Sequence, residues 1–370
     1  MDIKTIIIMH YYKPGSAATN RILAYAMSFA ELNKRVVLVL GTKHKTSLPV
    51  VDGIKIHGVV GSSHMLALKM SQVVKRSYDR KSSAIIVYGT PIFCLFLEKR
   101  KFNIFYECTE VPFYGRRGSI IQRIIEYLKL MMAKRSTGML VISKSLKQYF
   151  YQRGVNNIEI INMFVDNKRF DELSIKDHNC ENSIAYCGTI SLYKDGVDCL
   201  IQAFALFAKQ HPEYKLKLIG KFDNESTETI LKEKISQLHL EGKVIFCGLV
   251  PPSEMPVLLS RSKVLALARP NNEQAKYGFP TKLGEYLATG NPVVVTDVGE
   301  IGDFLQHGNN CIMSRPDDYN DFADKLLWVV NNYQEAIKIG AKGKSLTQNA
   351  FSSVEQSKKV LAFISKSDRV

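Results

Sequence analysis

Short β-branched runs alternate with longer amphipathic stretches along nearly all of the 370 residues, and this rhythm constrains the fold more than any other feature. In the first half the strand candidates are KTIIIM (4–9), RVVLVLG (35–41), IKIHGVV (54–60), SAIIVYG (83–89), FNIFYECT (102–109), GMLVISK (138–144) and IEIINM (158–163). Helical patterns lie between several of them, notably over 18–33 and 119–135. Strands joined through helices can pair in parallel, and a parallel sheet is covered by helices on both faces. The rhythm breaks at DELSIKDHNCEN (171–182), which is polar and aperiodic, and then restarts. Strands SIAYCG (183–188), KLKLIG (215–220), KVIFCG (243–248), KVLALARP (263–270) and PVVVT (292–296) alternate with helical patterns at 197–211, 226–238, 253–261 and 281–289.

The pattern predicts an α/β chain of two tandem Rossmann-like, doubly wound domains facing across a cleft. The first, over 1–172, is followed by a linker at 173–182 and a second domain over 183–349. The helical pattern in the last segment, 350–370, either finishes the second domain or packs back on the first. Ligands of such sheets bind beyond the C-terminal strand ends, so the loops after the strands are the places to search.

Composition agrees and excludes several classes. A chain of this length suits two cores of about 150 to 190 residues each. With 46% apolar residues it is globular rather than disordered. No run reaches the about 18 apolar residues of a spanning helix, and MDIKTIIIMH reads as a first strand rather than a signal peptide. The seven cysteines show no ligand spacing and read as thiols in a reducing compartment, so the expected location is cytoplasmic. The eight histidines are scattered, so no metal site is expected, and no GxSxG elbow is present.

The net charge of +15 is uneven. Residues 1–175 hold 27 Lys and Arg against 12 Asp and Glu, while residues 176–370 hold 23 of each. A basic first half favours an anionic surface. Within it, GRRGSIIQRIIEYLKLMMAKR (115–135) has apolar residues at 120, 121, 124, 125, 128, 131 and 132 beside Arg116, Arg117, Arg123, Lys129, Lys134 and Arg135. That suits peripheral attachment to anionic lipid, and equally a helix packed on a sheet. No nucleic-acid-binding motif is present, and nucleic acid is not expected as a partner.

Four stretches offer chemistry. After the strand ending at Cys187, Gly188 and Thr189 open a loop, and Lys194-Asp195-Gly196 precede a helix near Val197. Backbone N–H groups and a lysine at a helix mouth can hold an anion, and the same residues describe a solvated βα loop. In KYGFPTKLGEYLATGNPVVVT (276–296), Tyr277, Gly278, Phe279, Pro280 and Thr281 lead into a helix with Leu283 and Leu287 spaced for burial. Lys282 falls in its first turn, where a cation opposes the helix dipole unless an anion is also bound. Glu285 either pairs locally with Lys282 or accepts two hydroxyl protons from a sugar diol. In HYYKPGSAATNRI (10–22), Gly15 and Ser16 permit close approach by a ligand or simply make a tight turn. Finally, His10, Glu107 and Glu110 lie near the ends of the first and fifth strand candidates, where they suit an acceptor, the core or a soluble loop.

Taken together, GTISLYKDGVDCLIQAFALF (188–207), LKLIG (216–220), VIFCGLVPPSEMPVLLSRSKVLALARP (244–270) and YGFPTKLGEYLATGNPVVVTDVGEIGDFLQHGNNCIM (277–313) resemble glycosyltransferase family 4, glycosyl transferases group 1. Residues 10–39 and 140–170 are similar to that family's opening glycine loop and its approach to the linker. The resemblance implies a GT-B fold and a retaining transferase. It would move a hexose or related sugar from a UDP- or GDP-linked donor to a saccharide or a polyprenyl-(di)phosphate-linked acceptor. It also implies surface polysaccharide synthesis, such as capsule or lipopolysaccharide, at the inner face of the cell membrane, with no tightly bound cofactor and no required metal. By the same resemblance Lys194 neutralises the donor diphosphate, Glu285 holds the ribose, and Gly15 and Ser16 admit the phosphate side. Two positions depart from the family. Thr189 stands where an arginine often follows the glycine, and Tyr277 replaces the first of two glutamates eight residues apart. Glu273, Lys276 or Lys282 are the neighbours placed to compensate. An epimerase on the same fold and a non-enzymatic partner of an assembly complex are the rival readings.

Overall fold

The computed structural model describes residues 3–97, 102–111, 120–171 and 180–367. The chain divides into two units, Met1–Phe164 with Ser353–Val370, and Val165–Ser352.

Seven strands build the first unit: β1 (Thr5–Tyr11), β2 (Arg35–Thr42), β3 (Lys55–Val60), β4 (Ser83–Tyr88), β5 (Asn103–Cys108), β6 (Gly138–Val141) and β7 (Ile158–Ile160). They lie in the order β3-β2-β1-β4-β5-β6-β7, all parallel. Ile7 on β1 pairs with Val37 of β2 and Ile85 of β4, and six successive residues of this interior strand are buried, so it is covered on both faces. Its helices are α1 (Ala17–Glu31), α2 (Ser63–Ser77), α3 (Phe93–Leu97), α4 (Ile120–Ala133) and α5 (Lys144–Tyr151). The α1 helix starts where Ser16 caps it, accepting from the Thr19 amide at 3.2 Å. It ends at Leu32 and Asn33, and Asn33 takes φ +58°, which asparagine tolerates, to turn the chain into β2.

A buried ion pair ties α1 to the sheet. Arg21 Nε donates to Glu107 Oε1 at 2.7 Å, and its Nη1 and Nη2 donate to the carbonyls of Asn162 and Ile161. The Tyr25 hydroxyl also donates to Glu107 Oε1, at 3.2 Å. The Arg21 guanidinium lies 4.2 Å from the Phe164 ring centroid, so the clamp holds one helix, β5 and the chain beyond β7 together. Burial pushes the Glu107 carboxyl up, against the pull of Arg21. Glu107, 1% exposed, therefore belongs to this clamp and not to a surface open to an acceptor.

The short α6 (Lys168–Asp171) opens the second unit. Most of the expected linker lies outside the described residues, and its end, Glu181, already starts a strand. Six parallel strands follow: β8 (Glu181–Cys187), β9 (Lys215–Ile219), β10 (Val244–Gly248), β11 (Ser262–Leu267), β12 (Val293–Thr296) and β13 (Ile312–Ser314). Their order is β10-β9-β8-β11-β12-β13. The helices are α7 (Leu192–Asp195), α8 (Val197–Phe207), α9 (Glu225–Gln237), α10 (Met255–Ser260), α11 (Glu273–Tyr277), α12 (Lys282–Thr289), α13 (Tyr319–Asn331) and α14 (Tyr333–Gln348). Four of these, α7, α11, α13 and α14, carry no expectation from the sequence pattern.

The final helix, α15 (Ser353–Ser367), belongs to the first unit. Val360, Phe363 and Ile364 join Ile6, Phe29, Leu38 and Phe105 in one apolar core. The Phe363 ring reaches its place because Gly138 has no side chain; a Cβ there would lie 2.7 Å from it. All seven cysteines are free thiols. Among the described residues no helix is long and apolar enough to cross a membrane, and no three His, Cys, Asp or Glu group together to suit a metal ion.

Candidate active site

In the second sheet the strand order reverses between β8 and β11, the position where open α/β sheets bind ligands. The loops after these strands touch. Gly196, at φ +58°, joins α7 to α8, and a Cβ on it would sit 2.2 Å from the Ala268 carbonyl oxygen beyond β11.

Lys282, the first residue of α12, reaches into this junction. Its Nζ donates to Asp195 Oδ2 at 2.5 Å and to the Tyr186 hydroxyl at 2.9 Å, and stands 4.5 Å from the Tyr186 ring centroid. The Tyr186 oxygen lies 2.6 Å from the Thr189 carbonyl and 2.8 Å from Asp195 Oδ2, so its one proton serves both acceptors. Asp195 is 1% exposed; burial works against its charge, but Lys282 and Arg269 hold its carboxyl below the usual range. Burial draws the Lys282 ammonium down, and Asp195 opposes that. The first-turn lysine, read as a misfit that a bound anion would explain, thus has a protein partner. The local alternative, Lys282 with Glu285, is replaced by two separate pairs.

Gly188 makes room for this arrangement. At φ +146° it has no side chain, and a Cβ there would come within 2.5 Å of Lys282 Nζ. The ammonium therefore occupies the space beside Gly188, next to Thr189, the position that lacks an arginine. The loop's amides are less available than the sequence suggests. Gly188 N–H donates to Ile219 O and Ile190 N–H to Lys221 O, each at 2.8 Å, while Lys194 N–H donates to Ser191 Oγ. The Lys194 side chain is half-buried on α7, one residue before Asp195.

The α12 helix is set by its buried face. Leu283, Tyr286 and Leu287 are fully buried, and the Tyr286 hydroxyl accepts from the Cys187 N–H at 2.6 Å, tying the helix to the end of β8. At the other end Gly290 takes φ +80°, and Asn291 Nδ2 donates to the Ser260 and Ser262 carbonyls. With both ends held, Glu285 is fixed on the helix edge, where Arg169 Nη1 donates to its Oε1 at 2.6 Å. Arg169 also donates to the Pro252 carbonyl.

The other candidates separate clearly. Phe279 packs edge-on to Phe304 and against Phe351, so its side chain serves the core. Pro280 and Thr281 accept from Leu283 and Gly284 N–H groups and shape the entry to α12. Tyr277 ends α11, with Gly278 after it and Lys276 Nζ 5.5 Å from the Tyr277 ring centroid. In the first unit Gly15 takes φ +67° and Ser16 caps α1. His10 is buried, 3.4 Å from Thr19 Oγ1, and burial pushes its imidazole down to about 4. Glu110 is exposed beyond β5. Tyr186, Asp195, Arg269 and Arg169 carry no expectation as site residues. Asp195 and Arg269 lie where strands give way to loops, and that placement is their signal in the sequence.

Two parallel doubly wound units, with charge gathered at the second sheet's reversal point, define the GT-B class of glycosyltransferase fold. Residues 181–332, within the second unit, match the family model Glycosyl transferases group 1. Mannosylfructose-phosphate synthase of Agrobacterium fabrum is 29% identical over 137 residues, 36% of this chain and 29% of that protein. An uncharacterised glycosyltransferase of Methanocaldococcus jannaschii is 24% identical over 253 residues, 62% of each chain. These matches span less than two thirds of either relative's length. The solved structure of Anabaena HepE in complex with UDP-glucose superposes with a TM-score of 0.74 at 17% identity, covering 98% of this chain and 99% of that one.

Proposed function

We propose that this chain is a retaining glycosyltransferase that moves a hexose or related sugar from a nucleoside diphosphate sugar to an acceptor hydroxyl. The observation that carries the reading is the Lys282 ammonium held beside Gly188 at the sheet's reversal point, with Lys194 on the adjoining turn and Glu285 three residues along the same helix. Departure of a nucleoside diphosphate builds charge on its outer phosphate. Lys194, Lys282 and the N-terminal end of α12 stabilise that charge most in the transition state. Lys282 supplies the cation that Thr189 does not, so the fixed charges perform the electrostatic work without a required metal. Arg169 orients Glu285 through Oε1, and the same carboxylate accepts the ribose hydroxyls through Oε2.

A UDP-linked donor is favoured by the Anabaena neighbour's complex, and GDP is the alternative base. We assign the acceptor, a saccharide or a polyprenyl-(di)phosphate-linked sugar, to the basic first unit, with His10 and Glu110 as its candidate contacts, and keep Gly15 and Ser16 for the phosphate side of the donor. The setting is surface polysaccharide synthesis at the inner face of the cell membrane. The test is incubation with UDP-, GDP- and dTDP-sugars plus a membrane extract, measuring nucleoside diphosphate release and labelled lipid. Acceptor-dependent release is expected. Acceptor-independent interconversion of sugars would indicate an epimerase, and absence of both turnover and nucleotide binding would indicate a non-enzymatic partner.

A further inference from the structure

The amphipathic stretch read at 115–135 offered two outcomes, a lipid-facing helix or one packed on the sheet. Residues 115–119, with Arg116 and Arg117, lie outside the described residues, as do the side chains of Ile121, Gln122 and Ile125. The rest of α4 decides its orientation. Ile120, Ile124, Tyr127, Leu128 and Met131 are exposed, from 39% for Met131 to 77% for Ile120. At about 100° per residue these five fall on one arc of the helix, spanning roughly a quarter to a third of its circumference. Ala133 is buried on the opposite side, and Glu126, the helix's only carboxylate, turns aside to bond the Tyr149 hydroxyl on α5. Scattered single apolar residues are ordinary on a surface, but a continuous stripe of large ones on one helix is not.

Charge identifies what covers the stripe. Arg123 is exposed on α4, and Lys134 and Arg135 are exposed in the turn that follows. Arg123 falls at the edge of the apolar arc and no acidic residue of the helix lies on it, while Lys134 reaches toward Gly154 instead. Residues 1–175 carry the chain's entire excess of positive charge. An apolar stripe rimmed by cations on a basic unit matches the boundary between acyl chains and anionic headgroups, where apolar side chains insert and cations meet phosphate.

We infer that α4 is the membrane-docking face of this protein: it lies flat in the surface of an anionic bilayer through Ile120, Ile124, Tyr127, Leu128 and Met131. This deepens the reading of a lipid-linked acceptor and rests on it for its purpose, though the surface itself follows from exposure and charge alone. The occupant is a bilayer, with a second copy of the chain or a protein partner as outcomes that overturn it.

The test uses the full chain with vesicles of phosphatidylcholine, with and without about 30% phosphatidylglycerol. Wild-type protein is expected to co-sediment with the anionic vesicles and to stay largely in solution with the neutral ones. Ile124→Glu with Leu128→Glu should weaken vesicle binding by about tenfold or more, and Arg123→Glu with Arg135→Glu should do so only on the anionic vesicles. These positions are exposed, so nucleoside diphosphate binding by each variant should match wild type and report an intact fold. Equal recovery on both vesicle types, or unchanged binding by Ile124→Glu with Leu128→Glu, overturns the docking face. So does wild-type dimerisation that this variant abolishes without any vesicle binding. Loss of nucleotide binding by the wild type would instead strike the transferase reading and leave the vesicle result standing.

Discussion

A buried carboxylate lies in an ion pair near the C-terminal strand ends of each unit, Arg21–Glu107 in the first and Lys282–Asp195 in the second, and the two differ in what surrounds the cation. Arg21 is enclosed, 3% exposed, with its donors on Glu107, Tyr25 and two backbone carbonyls. Lys282 retains 14% exposure, and beside it are a glycine with no side chain and a second lysine on the adjoining turn. The carboxylates are equally buried. A carboxylate at a strand end is therefore no evidence of chemistry by itself; the cation's remaining access is the difference on which the proposed donor site rests.

The largest effect should come from breaking the clamp. Glu107→Ala leaves the Arg21 charge buried and unpaired, and should cost about 3–5 kcal/mol in urea unfolding. Arg21→Met with Glu107→Leu should recover most of that loss. If the single change costs under about 1 kcal/mol, the clamp is not structural.

The first unit's buried histidine gives the next effect. His10 has its folded value near 4 against an ordinary 6.5, so the unfolded chain binds the extra proton first. Its contribution is fully present above pH 6.5 and is lost as pH falls toward 4, by up to about 3 kcal/mol. Measured unfolding free energies should show this slope, and His10→Gln should flatten it. An unchanged slope would place His10 in contact with water.

In the second unit stability and turnover should come apart. Lys282→Met alone leaves Asp195 buried without its cation, so both should fall. Adding Asp195→Asn removes the stranded charge and should restore stability while turnover stays down by about a hundredfold. Recovery of turnover along with stability would make this pair a second clamp. Lys194→Ala is the mildest change: turnover should drop at least about tenfold, with stability moving by no more than about 0.5 kcal/mol. Unchanged turnover would remove Lys194 from the mechanism.

Local physics made much of this legible in the sequence. The predicted helix at 226–238 is observed at Glu225–Gln237 and that at 281–289 at Lys282–Thr289, because periodicity, caps and the Gly290-Asn291-Pro292 stop are all local signals. Leu283 and Leu287 are buried as their spacing implies. The partners were not legible. Glu107 lies 86 residues from Arg21 and Asp195 87 from Lys282, and no local rule links residues that meet only when parallel strands align. The same holds for Arg169 and Glu285, 116 apart. Amphipathicity showed that α4 has two faces, but only the packing of Ala133 and Glu126 shows which one looks outward.

In the proposed reaction Lys282 serves the donor's diphosphate as well as Asp195. Calorimetric titration of UDP and GDP into wild type and the Asp195→Asn/Lys282→Met variant tests it most directly. The nucleotide bound by wild type is expected to bind the variant about tenfold or more weakly, at equal thermal stability. Equal affinity in the two proteins would contradict it.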